Sequence, residues 1–356
     1  MSAYMAHVKE LRAEGLVEVT WACDRRPERG ELMRQRYGVA HFTTDEEELL
    51  ASDDVEAVLV LTSMQAHAPL AKAALLAGKH VLVEKPLGVT LEEAGALLET
   101  SRSSPGMLVC APFVMFSPTY RILWERVQRG DIGKVLTARA RYGHAGPTWG
   151  AWYYQGKGGA IFDLAPYSLT SLTGLLGPVQ RVMAMTGTAI PERSVDGETV
   201  RVSIEDNAHL LLDFGESVFA VVTAAFTMQQ YRSPGLELYG SQGVLQLNGD
   251  DWHPEGYELW LNEVGAWQVY KETDPGWLWT AGLRHMVECI RLKRKPLINP
   301  EQAYHVLEIM LKARESGRDG TAKAIQSRFP RLQFEHVKVE AQGEHLVHDR
   351  THRRET

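Results

Sequence analysis

The sequence predicts an α/β protein in two domains: a parallel-sheet domain over residues 1–112, then an α+β domain with a large, mostly antiparallel open sheet over 113–330. Three observations predict it. A length of 356 residues is more than one ordinary domain needs. Up to residue 112, short β-branched runs alternate with helical periodicity, as βαβ units do. Beyond residue 113, strand patterns follow one another across turn signals such as Phe214-Gly215-Glu216 and Gly240-Ser241-Gln242-Gly243, as in antiparallel sheet.

The chain opens inside a helical pattern, with Tyr4, Val8 and Leu11 at helical spacing, and runs into a strand over 17–23. Next come a helix over 27–37, a strand over 55–61, a helix over 66–77 closed by Gly78, a strand over 80–83, a helix over 91–101 and a strand over 107–111. The run Val58-Leu59-Val60-Leu61 suits a strand covered on both faces. In a dinucleotide-binding fold the opening helix follows a strand and a G-x-G-x-x-G turn. Neither occurs here, so the expectation is a chain truncated at its N-terminus, without its first strand and phosphate-binding turn.

In the second part, a helix is predicted over 118–129 with Ile122, Leu123 and Val127 inward, and a strand over 135–142. A loop rich in Gly and Trp reaches Gly159, and a Leu-rich helix ends at Leu176. Strands are predicted over 201–214, 217–228, 236–239, 244–247, 257–261 and 267–270. Two late helices are marked by Leu283, Met286, Val287 and Ile290, and by Ala303, Val306, Leu307, Met310 and Leu311. Residues 331–356 form a polar, loosely held tail.

Composition excludes several classes. With 44% hydrophobic and 23% charged residues the chain reads as soluble and globular. A formal net charge of -7 argues against a nucleic-acid partner, which would favour a basic surface. No apolar run approaches the roughly 18 residues of a membrane span, and the start lacks a leader pattern. Cys23, Cys110 and Cys289 are scattered and make neither a disulfide framework nor a zinc site, so a reducing, cytoplasmic setting is expected. The histidines show no metal-ligand spacing, and no metal is implied.

Some positions carry chemistry on their own reading. Asp24 ends the strand over 17–23, where a dinucleotide-binding domain places the carboxylate for the adenosine ribose; the alternative is a cap for the next helix. Arg25 and Arg26 could pair with a 2′-phosphate that Asp24 would repel, so NAD is favoured over NADP. Thr62, Ser63, Gln65 and His67 follow the carboxyl end of a strand, where ligands bind in such sheets. His144, Trp149, Trp152 and Tyr153 lie in the aromatic loop, read either as a substrate wall for sugar faces or as packing between domains. His305, on a regular apolar helix, reads as structural.

Several stretches resemble one family. They are Ala22-Cys23-Asp24 with Pro27-Glu28-Arg29; Thr62 through His67; Ala77-Gly78-Lys79-His80-Val81-Leu82-Val83-Glu84-Lys85-Pro86; Gly130 through Val135; Gly158-Gly159-Ala160-Ile161-Phe162-Asp163; and Ala303 through Glu308. In this order they resemble the glucose-fructose oxidoreductase / inositol dehydrogenase family, Gfo/Idh/MocA. The resemblance implies a Rossmann-type N-terminal domain, NAD or NADP as cofactor, a sugar or polyol substrate, and a homodimer or homotetramer. It also implies cofactor contacts from Glu84 and Lys85, with Lys85 polarising the substrate oxygen.

The family commonly reads Thr-Pro-Asn-x-x-His where this chain has Ser63 and Met64, which leaves Gln65 as the candidate amide. It commonly reads Asp-x-x-x-His where this chain has Asp163 and Tyr167, so a phenol replaces the imidazole as acid or base. If a helix starts at Pro166, Asp163 precedes its first turn; if a helix runs through a kink, Asp163 and Tyr167 stack at i and i+4. The other reading of Tyr167 is a buried aromatic with its hydroxyl satisfied by backbone. The expected activity is hydride transfer, with Lys85, Asp163 and Tyr167 as the catalytic set. The rivals are a non-catalytic dinucleotide-binding regulator and an NAD-dependent glycoside-cleaving enzyme.

Overall fold

The computed structural model describes residues 3–334, apart from 233, 251, 273 and 275, together with the backbone of 345–347. It divides into two compact units, Met1–Phe113 with Thr280–Tyr304, and Val114–Trp279 with His305–Thr356. The pattern reading set one boundary at 112 and did not show that Thr280–Tyr304 returns to the first unit. The helix Gly282–Leu292 places its apolar stripe, Leu283, Met286 and Val287, in that unit's core.

The first unit is a parallel α/β structure. Ala57–Val60, His80–Val83 and Leu108–Cys110 pair in parallel in that order, and Val81, Leu82 and Val83 in the middle are fully buried. Trp21–Cys23 pairs in parallel with His41–Thr43 as a separate two-stranded sheet. The alternation of strand and helix therefore gives parallel pairing as expected, but in two sheets. Among the described residues no strand joins Trp21–Cys23 to Ala57–Val60. The helices Met64–Leu76 and Leu91–Ser103 pack on each other, the second capped where the Thr90 hydroxyl accepts from the Glu93 N–H. The strand His41–Thr43 and the helix Glu46–Ala51 have no counterpart in the pattern reading, since three and six residues are too few to show a period.

The second unit is built on a ten-stranded sheet. Its order is Lys323–Ala324, Arg181–Gly187, Asn207–Asp213, Phe219–Ala225, Val135–Gly143, Leu236–Gly240, Gly243–Gly249, Pro254–Leu261, Trp267–Lys271 and His345–Val347. Phe219–Ala225 and Val135–Gly143 run parallel, and the other neighbours run antiparallel. Alternation assigns the faces. Val182, Ala184, Leu210, Leu212, Val222 and Ala138 point to the buried face, while Met183, Met185, Leu211, Phe219 and Val221 are exposed on the other. The helix Ala165–Leu176 lies against the sheet strands and is buried from Ala165 to Leu175, which explains its Leu-rich, all-round apolar character.

One expectation is corrected. The chain from 331 is not loosely held at its start: Leu332 and Phe334 are buried, and the Phe334 ring meets Trp124 edge-on at 4.8 Å. Phe334 anchors the segment to the helix Pro118–Arg129, and Leu332 packs near Gly174 of Ala165–Leu176. The rest of the predicted tail, save the backbone of 345–347, lies outside the described residues. His305 is fully buried, with Nε2 accepting from the Val179 N–H (3.0 Å) and Nδ1 facing the Ser327 hydroxyl (2.9 Å). Burial pushes its pKa down to about 4, so it stays neutral and can keep accepting. No helix among the described residues is long and apolar enough to cross a membrane.

Candidate active site

In the first unit the candidate residues leave the carboxyl ends of three strands. Asp24 follows Trp21–Cys23 and is half-buried. Its Oδ1 accepts from the Arg26 N–H (3.0 Å), and its carboxylate pairs with Arg26 (3.5 Å) and Arg29 (3.3 Å). It therefore shapes the turn into the helix Arg29–Tyr37 without being that helix's N-cap, which is Glu28. Arg25 is exposed.

Thr62, Ser63 and Gln65 are exposed at the strand-to-helix junction that starts Met64–Leu76. His67, on the first turn, is instead 1% exposed. Its Nδ1 lies 2.8 Å from the Pro86 carbonyl oxygen and its Nε2 3.1 Å from that of Thr62. Both neighbours can only accept, whereas a neutral imidazole has a single N–H to give. Burial pushes the His67 pKa down despite those carbonyls. The ring spans the loops that carry Thr62 and Lys85, and so helps to hold them in register.

Glu84 and Lys85 follow the buried strand His80–Val83. The Tyr4 hydroxyl donates to Glu84 Oε1 (2.6 Å), and the Lys85 N–H donates to Oε2 (3.1 Å). Lys85 is half-buried, and its bond to Pro86 is cis. Glu84 is thus tied to the opening helix Met5–Ala13, a role no sequence pattern indicated because 80 positions separate the partners.

In the second unit Asp163 ends a single helical turn, Ala160–Asp163, and Tyr167 lies in Ala165–Leu176. Leu164 alone separates the two helices, with αR dihedrals. Pro166 has no N–H to give, and the Tyr167 N–H bonds back to the Leu164 carbonyl (3.3 Å), so the path is a nearly continuous helix with one break. A new helix thus starts at Ala165 with Pro166 in its first turn and Asp163 ahead of it, close to the first of the two alternatives.

The segment ahead of Asp163 is clamped by a buried ion pair that sequence reasoning missed. Arg314 meets Glu205 at 2.6 Å, donates to the Gly158 carbonyl and covers the Phe162 ring at 4.1 Å. Glu205 Oε1 also accepts from the Ile161 N–H (3.3 Å). Burial pushes the Glu205 pKa up, and the Arg314 charge opposes it. Gly159 must be glycine: its φ is +91°, and a Cβ would fall 2.5 Å from Glu205 Oε1. A partner 109 positions away leaves no local signal for the pair.

Aromatic rings form two clusters in this unit. In one, Trp152 stacks on Tyr153 (3.7 Å between centroids), Trp149 meets Tyr153 edge-on (5.0 Å), and Tyr153 and His144 approach Phe226. The side chain of Arg193 braces this loop: it lies over Tyr154, donates to the carbonyls of Ala145 and Phe226, and pairs with the fully buried Asp206 (3.1 Å). Burial raises the Tyr154 pKa, Arg193 opposes the shift, and the nearby Asp163 adds to it. In the other cluster Tyr167 stacks with Tyr142 (5.0 Å) and lies 5.6 Å from Trp252, which contacts Trp279 at 4.7 Å. Tyr142, Trp252 and Trp279 were not among the predicted site residues; Tyr142 reaches Tyr167 from a strand and Trp252 from a loop, and Trp279 reaches Trp252 from another loop.

No group of three or more His, Cys, Asp or Glu among the described residues could hold a metal ion. The residue types that could hold a nicotinamide dinucleotide are present at the strand ends: the Asp24 carboxylate, the exposed Thr62 and Ser63 hydroxyls and the Gln65 amide. The 356 residues contain no G-x-G-x-x-G turn, so no diphosphate cradle of that kind is described.

A parallel α/β unit with polar groups at its strand ends, joined in one chain to a large open-sheet unit in which Asp163 and Tyr167 stand four positions apart, defines a two-domain oxidoreductase architecture. Residues 2–111 match the sequence model described as the oxidoreductase family with NAD-binding Rossmann fold, and residues 120–246 match the GFO/IDH/MocA C-terminal domain. The chain belongs to the GFO/IDH/MocA oxidoreductase family.

Among relatives, an uncharacterized oxidoreductase of Synechocystis is 30% identical over 239 residues, which is 64% of this chain and 64% of that protein's length. The 1,5-anhydro-D-fructose reductase of Ensifer adhaerens is 27% identical over 307 residues, 84% of this chain and 89% of the relative. The structure of a levoglucosan dehydrogenase in complex with NADH and levoglucosan shares the fold, with a TM-score of 0.78 at 20% identity over 86% of this chain and 90% of that one.

Proposed function

We propose that this protein is a nicotinamide-dependent dehydrogenase or reductase acting on a CH–OH group, or the matching carbonyl, of a sugar or polyol. The observation that carries the reading is Tyr167: at the position where the family commonly has a histidine, a buried phenol follows Asp163 across a one-residue break and belongs to an aromatic cluster. The reductase and dehydrogenase names of the relatives support the same class.

Asp24, Arg25, Thr62, Ser63, Gln65 and Glu84 form the cofactor side in this reading, with His67 holding the Thr62 and Lys85 loops in place. NAD is favoured over NADP because the Asp24 carboxylate would repel a 2′-phosphate, even with Arg26 and Arg29 beside it. When bound, the nicotinamide accepts or supplies a hydride. The Lys85 ammonium polarises the substrate oxygen, the Tyr167 hydroxyl gives or takes its proton, and the Asp163 carboxylate steadies the phenol. His144, Trp149, Trp152 and Tyr153 supply part of the substrate wall.

The exposed apolar stripe Met183, Met185, Leu211, Phe219 and Val221 on the open sheet supports a homodimer or homotetramer. Three unpaired cysteines suit a reducing compartment.

Lys85→Met is the test. Turnover, followed as NADH absorbance with a sugar or polyol substrate, should fall by about 10²–10⁴-fold with the circular dichroism unchanged. Normal turnover in a folded Lys85→Met protein would overturn the assignment.

A further inference from the structure

Two buried ion pairs of the second unit meet at one dipeptide. Glu205 pairs with Arg314 and its neighbour Asp206 with Arg193, and the side chains of the two acids are 6% and 0% exposed. The backbone of the dipeptide is itself fixed. The Asp206 N–H donates to the Gly187 carbonyl (3.1 Å), and the Asp206 carbonyl accepts from the Phe226 N–H (2.7 Å). It leads straight into Asn207–Asp213, a strand paired on both sides in the ten-stranded sheet.

From this anchor each acid holds a different stretch of chain. Glu205 takes the first two amides of the turn that carries Asp163: its carbonyl accepts from the Ala160 N–H (3.0 Å) and its Oε1 from the Ile161 N–H (3.3 Å). That turn is four residues long, and Gly159 at its start supplies no side-chain cap. The first N–H groups of a helix have no partner within it, so an acceptor from outside decides where the turn sits. Asp206 acts through Arg193, which donates to the Ala145 carbonyl at the start of the aromatic loop (2.6 Å). The loop is tied to the same stretch again where the Ser203 N–H donates to the Tyr154 carbonyl (2.9 Å).

We propose that Glu205 and Asp206 are positioning residues for two parts of the substrate site. Glu205, with Arg314, sets the place of Asp163 relative to the helix that carries Tyr167; Asp206, with Arg193, sets the aromatic loop. The inference rests on the reading of Asp163 and Tyr167 as acid–base residues and deepens it by naming what aligns them. A buried ion pair adds little net stability over apolar packing, because desolvation offsets the attraction, but its hydrogen bonds fix direction. Misplacing a reacting group by about 1 Å can cost on the order of 10²-fold in rate, so release of the Asp163 turn acts on kcat. The loop bears on substrate binding alone, and its release acts on KM.

Glu205→Gln and Arg193→Lys test the split. Turnover is read as NADH absorbance on whichever of a set of aldohexoses and hexitols the parent oxidises fastest, and amide hydrogen exchange reads both segments without substrate. Glu205→Gln should lower kcat about tenfold or more with KM within about twofold, and speed exchange over residues 158–163 about tenfold. Arg193→Lys should raise KM about fivefold with kcat within about twofold, and speed exchange over residues 144–154 instead. Arg314→Lys keeps the charge but loses the fork, so it should repeat the Glu205→Gln pattern more weakly, and it carries the test if Glu205→Gln does not fold. Parent values of kcat and KM in the folded variants, or one common change from both sides, would overturn the positioning roles. The two readings fail separately: segment-specific exchange with no NADH formed by the parent keeps the positioning and removes the dehydrogenase, whereas parent turnover indifferent to Glu205 and Arg314 does the reverse.

Discussion

The two aromatic clusters of the second unit use the same residue types for different ends. The loop cluster of Trp149, Trp152 and Tyr153 is local in sequence, and it is braced by the Arg193–Asp206 pair, whose side chains are 9% and 0% exposed. Its Trp149 and Trp152 are 57% and 41% exposed. The cluster around Tyr167 is non-local, drawing on a strand, a helix and two loops, and its most buried member is the residue that carries acid–base chemistry in our reading. Density of aromatics along the chain therefore marks a loop, whereas convergence in space draws on elements far apart in sequence.

Three measurements can break or sharpen that contrast. The largest effect is expected from Tyr167→Phe, which keeps the ring contacts and removes only the hydroxyl. Its kcat should fall about 10²–10⁴-fold with little change in thermal stability; a kcat close to the parent's would reduce the non-local cluster to packing.

Arg193→Leu comes next and acts on the other cluster. It leaves Asp206 buried without its cation, so denaturant unfolding should show a loss of about 3–5 kcal/mol. A loss below about 1 kcal/mol would mean that the loop does not depend on this brace.

The smallest effect is expected from Trp149→Ala and Trp152→Ala. Loss of these exposed indoles should raise KM by about threefold. A rise of about tenfold or more would mean that the loop supplies most of the substrate wall.

Much of the fold was legible because its signals are periodic. The strand His80–Val83 and the helix Pro118–Arg129 fall where the pattern puts them, the helix started by Ser117-Pro118 and stopped by a left-handed Gly130. Short elements such as His41–Thr43 and the hairpin Glu192–Val195 with Glu198–Arg201 hold too few residues for a period to emerge. For the site, the positions of Lys85, Asp163 and Tyr167 came from motif context. The residues that hold them did not: Tyr4 on Glu84, His67 between Thr62 and Pro86, and Arg314 with Glu205 are set by tertiary contact, which leaves no spacing to read. Trp252 is an isolated aromatic in the sequence and Trp279 stands two positions from Trp277, and neither spacing points to Tyr142 or Tyr167.

The split of the parallel strands into two sheets has a consequence for behaviour in concentrated solution. Two separate sheets have four outer strands where one joined sheet would have two, and among the described residues neither Trp21–Cys23 nor Ala57–Val60 has a strand on its second side. Amides and carbonyls along such borders are a template on which extended polypeptide can add. These borders of the first unit therefore add to the exposed apolar stripe of the second as places where molecules can meet.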